Sequence, residues 1–479
     1  MRRATLLAAA LLGPLCYGYS LAEPVELPAS MEISAERITV ELRGSQLEVV
    51  FDPDATPRLA VSDLVRPSND EGFFSLEQTD GALQIGQPHG EERVAPRLLV
   101  RLILRPGAQV KVSGADLTIT VERVRAPADS AAPVELTPSG DRAPPPLIAD
   151  VRNSTVRLVG VGGDLSGSAS RFEIEGGAGA LTARLKDGEL ELKGFSGIVA
   201  LDGGQSNFRV AGVAGVLKLN LDGGLLSASD GSGEVSGAGV GATIVIDRWN
   251  GSIELRGERS RVEVRESGAA GALITLAGAR NNLQIEDIVG GFSASLDDGQ
   301  LTVDQVDGSG RLQIRGRADV SIAGISEVLE LNLGSGARAK VREVARLKAE
   351  LDGARLEAVS IREFDLTAIR SAVVGGGVAR RATIRAVDSE LDLDFAGMIG
   401  RPRFELSGET AARVTLPRPC LVQVDGDLAT TTGRLAVGGC ELQRAADPRG
   451  ERPRPGGASP LIASAKLEDA ATLSIRPGS

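Results

Sequence analysis

The densest run of titratable side chains in the sequence is Asp388-Ser-Glu390-Leu-Asp392-Leu-Asp394. A spacing of two puts Asp388, Glu390, Asp392 and Asp394 on one face of a β-strand, opposite Leu391, Leu393 and Phe395. Like charges in a row repel one another, so such a row is a candidate cation site. Arg380, Arg381 and Arg385 lie just upstream and offer the competing reading, a solvated outer face neutralised by ion pairs. Nothing else assembles catalytic chemistry. The chain has a single histidine, His89, which leaves no two-histidine metal site. Its setting, Gly86-Gln-Pro-His-Gly90, reads as a surface turn. Cys420 and Cys440 have no further ligands at finger spacing, so zinc is not expected. Glycine strings such as Gly176-Gly-Ala-Gly179 lack the Lys-Ser/Thr of a phosphate loop. The Asp-Gly turns do not match the nonapeptide calcium repeat. Carbohydrate clefts use aromatic platforms. Both tyrosines, Tyr17 and Tyr19, precede residue 23, and the one tryptophan, Trp249, sits in an Asp-Arg-Trp-Asn-Gly turn where it is expected to pack a corner. No catalytic residue, cofactor or metal is predicted.

The elements around these residues are set by an internal repeat. The last large aliphatic before each small or glycine turn falls at Leu185, Leu201, Leu221, Leu255, Leu276, Leu296, Ile314, Leu333, Leu351, Ile369, Val387, Leu406 and Val424. The interval is about 18 residues, doubled between Leu221 and Leu255, where Val240 is the candidate missing anchor. Inside each unit the alternation has period two, as in Leu217, Leu219 and Leu221 against Lys218 and Asn220. A strand of that kind cannot bury its apolar face alone. Stacking one coil on the next supplies a partner above and below at roughly 4.8 Å. The predicted fold is therefore all-β, a parallel β-helix (β-solenoid) of coils of about 18 residues with an N-terminal β-rich domain. Leu333, Leu351 and Ile369 are expected to stack directly, with Glu350 outward. A β-sandwich would also show short strands, but not one period held over so many units.

Residues 1–22 have the form of a signal peptide: Arg2 and Arg3, an apolar stretch from Ala4 to Leu15, then Ser20-Leu21-Ala22. Residues 23–124 are the β-rich domain, 125–147 a Pro/Ala-rich linker, 148–445 the solenoid and 446–479 an Arg/Pro/Gly-rich tail in which Leu461 to Ile475 could add a last strand. Past the signal no segment is long and apolar enough for a transmembrane helix. The two remaining cysteines, Cys420 and Cys440, read as one disulfide in an oxidising compartment. A formal net charge of −11 argues against nucleic acid as a partner.

Arg97 to Val124 alternates, turns at Pro106-Gly107 and alternates again. This resembles the adhesin-like domain families of bacterial envelope proteins, where an alternating strand and Pro-x-Gly precede a solenoid of short Gly/Asp-punctuated strands. Here Pro106 and Gly107 are adjacent. The glycine-rich coils also resemble autotransporter-adhesin head domains. The resemblance covers most of 31–440. It implies an envelope β-solenoid, in families largely of unknown function, and carries over no binding residues. The expected protein is periplasmic or at the cell surface, non-enzymatic, with a structural or interaction role towards an envelope protein or surface polymer. The alternatives are a polysaccharide-acting β-helix lyase or hydrolase, and an envelope scaffold self-associating through solenoid ends.

Overall fold

The computed structural model describes residues 31–65, 75–79, 81–87, 97–124, 146–378, 380–424, 434–438, 440–444, 461–468 and 470–477. Residues 1–22, His89 and nearly all of the 125–147 segment lie outside them. Among the described residues there is no helix, and the fold is a parallel β-solenoid of about 15 turns with coils of about 18 residues. By its contacts the chain forms two compact units, Met1–Thr243 and Ile244–Ser479.

In the first unit each coil is a short strand, a turn, a longer strand and a second turn. Glu189–Lys193 leads through Gly194 into Ser196–Gly204, which ends at Gln205. Both turns use left-handed backbone: Gly176, Gly194 and Gly212 at one, Ala169, Asp187 and Gln205 at the other. Parallel pairing brings inward residues into line, Leu190 beside Phe208 and Phe208 beside Leu226, all buried. Lys218 and Asn220 are exposed between buried Leu217, Leu219 and Leu221. Val240 is not the missing anchor. It pairs with Asp222 and is 38% exposed, while Gly239 takes the inward place opposite Leu221.

Parallel pairing does not begin at 148. Leu147–Arg152 continues the ladder of Gln109–Ala115, which continues that of Arg37–Arg43. Thr155–Val159 likewise follows Thr118–Arg123 and Gln46–Phe51. Long excursions between these strands break the 18-residue beat without breaking the stack. The coil of residues 37–51 lies between two others, with Ala82–Gly86 and Arg97–Leu104 on its far side. That far coil carries antiparallel strands: Ser75–Thr79 pairs with Ala82–Gly86, and Arg58–Val65 pairs with Arg97–Leu104.

In the second unit the same coil holds, with several turns absorbed into continuous strands such as Arg338–Asp352 and Arg355–Ile369. Leu333 pairs with Leu351 as expected. Ile369 does not continue that column: Leu351 faces Ala368, and Ile369 pairs with Asp352 and is 39% exposed. Val387, its neighbour on the next coil, is outward too. The coil after Leu351 is one residue shorter than the period, and a slip of one residue exchanges faces.

The tail forms two strands, Leu461–Leu467 and Thr472–Pro477. They insert between earlier coils. Leu461–Leu467 pairs with Arg403–Ser407 on one side and Cys420–Val424 on the other. Thr472–Pro477 lies between Ala411–Leu416 and Arg434–Val437. Beyond Cys420–Val424 comes Glu441–Arg444, and a Cys420–Cys440 disulfide with Cα atoms 4.9 Å apart joins the two.

Candidate functional site

The row Asp388, Glu390, Asp392 and Asp394 is not one constellation. Asp388 occupies a left-handed turn position, and its Oδ1 accepts the Glu409 N–H at 2.9 Å. Glu390, Asp392 and Asp394 are exposed along Glu390–Asp394, over buried Leu391, Leu393 and Phe395. Their lateral neighbours are alanines, glycine, Val374, Thr415 and one cation, Arg413 beside Asp392. Arg385 turns away to Glu405, Nε to Oε2 at 2.9 Å. Among the described residues, no group of three or more His, Cys, Asp or Glu is placed to hold a metal ion. Trp249 is wholly buried, and its backbone N–H donates to Ser267 Oγ at 3.0 Å, so it packs a corner.

Glu263 is the one buried carboxylate among the described residues. It faces outward on Arg261–Arg265 but is clamped by the guanidinium groups of Arg261 and Arg265. Both its oxygens are occupied, so this cluster holds the face together and offers nothing to a ligand.

A concavity lies along one turn of successive coils in the second unit. It is an open groove of about 760 Å³. The turn residues are Asp287, Gln305, Glu343 and Ser360, all left-handed, with Gly324 in the same column. After each comes an aliphatic pointing inward: Ile288, Val306, Ile325, Val344 and Ile361, all buried. The next residue faces out again, giving Val289, Asp307, Ser326, Ala345 and Arg362. Gly324, Ser326, Ala345 and Ser360 are short, and the pairing is irregular between Ile325 and Val328, which leaves the channel between longer neighbours. Ser326 ties two coils: its hydroxyl donates to Asp307 Oδ1 at 3.0 Å and accepts the Gly308 N–H at 2.9 Å.

Asp287 and Asp307 make one end of the groove acidic, Glu343 stands on the coil next to the other end, and Arg362 closes that end. Arg362 begins a cluster. The Arg380 N–H donates to the Arg362 carbonyl at 2.9 Å, which sets the two in one column. Arg381 pairs across from Glu363, whose carboxylate is engaged by Arg346 at 3.5 Å. Gly400, just before Arg401, passes so close to the Arg380 carbonyl that a β-carbon would overlap it. Arg342, on the preceding coil, pairs with Val359 and so lies on the other side of the turn. Arg342, Arg362, Arg380, Arg381 and Arg401 are all exposed, and among the described residues none has a carboxylate within ion-pair distance. Some outward charges elsewhere close on adjacent coils: Arg184 on Asp164, Lys348 on Glu330, Arg370 on Asp352.

Comparison with known proteins adds no name to this geometry: no family model matches the chain, and no curated protein matches it. The groove was not legible in the sequence. Its residues recur at the coil period, but only the register shows that they line one channel. In sequence Arg380 and Arg381 stand out only as neighbours of the acidic row, which lies on a different strand.

Proposed function

We propose that this is an exported cell-envelope protein with an adhesin-like interaction role and no catalytic site of its own. Its coil stack serves as a rigid surface, and the groove along 287–362 is where an envelope protein or surface polymer docks. The observation that supports this reading most is the contrast in outer-face charge. Ion pairs such as Arg184–Asp164, Lys348–Glu330 and Arg370–Asp352 close parts of the outer face, whereas one open groove ends in a group of exposed arginines with no carboxylate within ion-pair distance. A surface already closed on itself gains little from a ligand, and an unpaired polar channel gains more.

The test uses the full chain expressed with its own N-terminus. Fractionation is expected to place it in the periplasm or on the surface, and it is expected to co-sediment with isolated envelope polymer. Filling the groove with the pair Ser326→Trp and Ala345→Trp is expected to weaken that co-sedimentation while circular dichroism stays β. Retention in the cytosol, or unchanged sedimentation of the filled variant, defeats the docking role. Shortening of the polymer on incubation would instead establish the polysaccharide-acting enzyme.

A further inference from the structure

We infer that the arginine cluster beside the groove binds a carboxylate-bearing polysaccharide, laid along the stack so that successive acid groups meet arginines on successive coils. The inference rests on the interaction role proposed above and specifies its ligand.

Three observations carry it. First, the arrangement extends along the stack and is not a point. Arg362 and Arg380 face one another on adjoining coils, Arg381 lies beside Arg380, and Arg401 follows Gly400, whose backbone lies against the Arg380 carbonyl, on the next coil; Arg342, on the coil before, pairs with Val359 on the other side of the turn. Coils repeat at roughly 4.8 Å, so three successive coils offer positive charge at a short interval. A single phosphate would use one or two of these groups, whereas a linear polyacid uses all of them. Second, every member is arginine. The guanidinium fork matches a carboxylate with two parallel hydrogen bonds and sheds water more easily than an ammonium. Third, the rest of the molecule repels polyanions. The chain carries a formal net charge of −11, and away from Arg362 the groove runs past Glu343 on the adjoining coil to Asp307 and Asp287. Attraction is therefore local and ends where the carboxylates begin, which limits the bound stretch to a few sugar units. With Trp249 buried, no tyrosine after Tyr19 and the described phenylalanines buried, no aromatic platform is available among the described residues near the cluster, and binding is ionic.

The experiment titrates the purified full-length chain into fluorescently labelled alginate oligomers and follows anisotropy. The comparison ligands are the same oligomers as methyl esters and vesicles of phosphatidylglycerol. The variant is the double change Arg362→Gln and Arg380→Gln. The control is Arg184→Gln, which removes a cation already paired with Asp164. Expected results are binding of the free acid and none of the ester. The double variant is expected to bind about tenfold or more weakly. Binding is also expected to disappear by roughly 0.5 M NaCl. The control is expected to match the wild type. Equal binding by the double variant, or by the ester, overturns the inference. Vesicle binding that outlasts alginate binding and depends on the same arginines also overturns it, by assigning the site to a lipid headgroup. If the groove-filling variant loses envelope polymer while the arginine variant keeps it, the docking role stands and this assignment falls.

Discussion

Leu351 touches the inward residues of both adjoining coils, with Leu333 opposite on one side and Ala368 on the other. Replacing it with alanine removes apolar contacts in both directions, and the space cannot be refilled from Ala368. The expected cost is about 2–5 kcal/mol. Glu350, one residue earlier, is exposed and meets Asn332 only at 3.5 Å. Glu350→Ala is expected to stay within about 0.5 kcal/mol. The register of the next coil is tested by Ile369→Ala, expected below about 1 kcal/mol because the side chain is part exposed, and by Ala368→Leu, expected to cost about 1–3 kcal/mol by overpacking. Urea melts of the four variants check the series, and a larger loss from Ile369→Ala than from Ala368→Leu would place the inward face one residue away. The alternation itself was readable from residue types. What was not readable is that the interval between Leu351 and the next inward residue is shorter than the period. Alanine fills an inward place as well as isoleucine does, so the larger aliphatic draws the eye to the wrong position.

Glu405 gives a pH-dependent prediction at the same scale. The hydrogen bond from Arg385 holds its carboxyl below the usual range, and the Arg385 and Arg403 charges act in the same direction. A carboxylate depressed in the folded state contributes stability above its unfolded pKa and loses it as pH falls through the folded value. Wild type is therefore expected to exceed Glu405→Gln in unfolding free energy at neutral pH, by less than about 1 kcal/mol since the pair is partly exposed. The gap is expected to narrow as pH falls below the usual carboxylate range. A gap that persists in acid would mean that the glutamate acts by packing and not by charge.

At the scale of the element, turns are held by side chains that reach the backbone of the next coil. Ser371 Oγ donates to the Ile369 carbonyl at 2.7 Å and accepts the Ala354 N–H at 3.1 Å. The Ser371 N–H donates in turn to Ser389 Oγ at 3.1 Å, and the Ser389 N–H to Thr410 Oγ1 at 3.3 Å. In the first unit Ser154 and Ser170 repeat the device. Ser371→Ala leaves the Ala354 N–H buried without that partner, and the expected loss is about 1–3 kcal/mol, with faster hydrogen exchange at the Ala354 amide. Unchanged exchange there would remove the ladder from the account. A serine after a turn reads the same in sequence whether it faces solvent or the interior, so these hydroxyls carry no sequence signal. A second column is made of glycine. Gly179, Gly197, Gly215 and Gly233 are in register, and a β-carbon on Gly215 would overlap the Gly197 carbonyl oxygen. The φ of Gly215 is 138°, a region open only to glycine, so strain and close approach act together.

At the scale of the whole molecule, the coil order in space departs from the order in sequence, and the period conceals it. Leu406 and Val424 fall in step with the repeat, so they read as neighbours on adjoining coils. In the fold the 461–477 coil separates them, with Ala465 paired to both Phe404 and Val424. No local pattern marks an insertion made by a distant segment. In a solenoid each coil is stabilised by the two it touches, so an interior coil supports two interfaces. The inserted coil buries Ala463, Ala465, Leu467, Ala471, Leu473 and Ile475 against them. Ending the chain after Gly457 removes both interfaces and leaves the strand edges of Ala411–Leu416 and Cys420–Val424 unpaired on that side. The disulfide still ties Cys420 to Cys440, so the outermost strands remain attached to one another but not to the stack. Hydrogen exchange of the shortened protein is expected to show lost protection over 411–424 and retained protection over 310–369, since the latter coils keep every neighbour. Loss that spreads to 310–369 would show cooperativity beyond nearest neighbours. Full protection at 411–424 would show that the 420–437 coil re-seats directly on 403–416, a pairing the 18-residue period would permit.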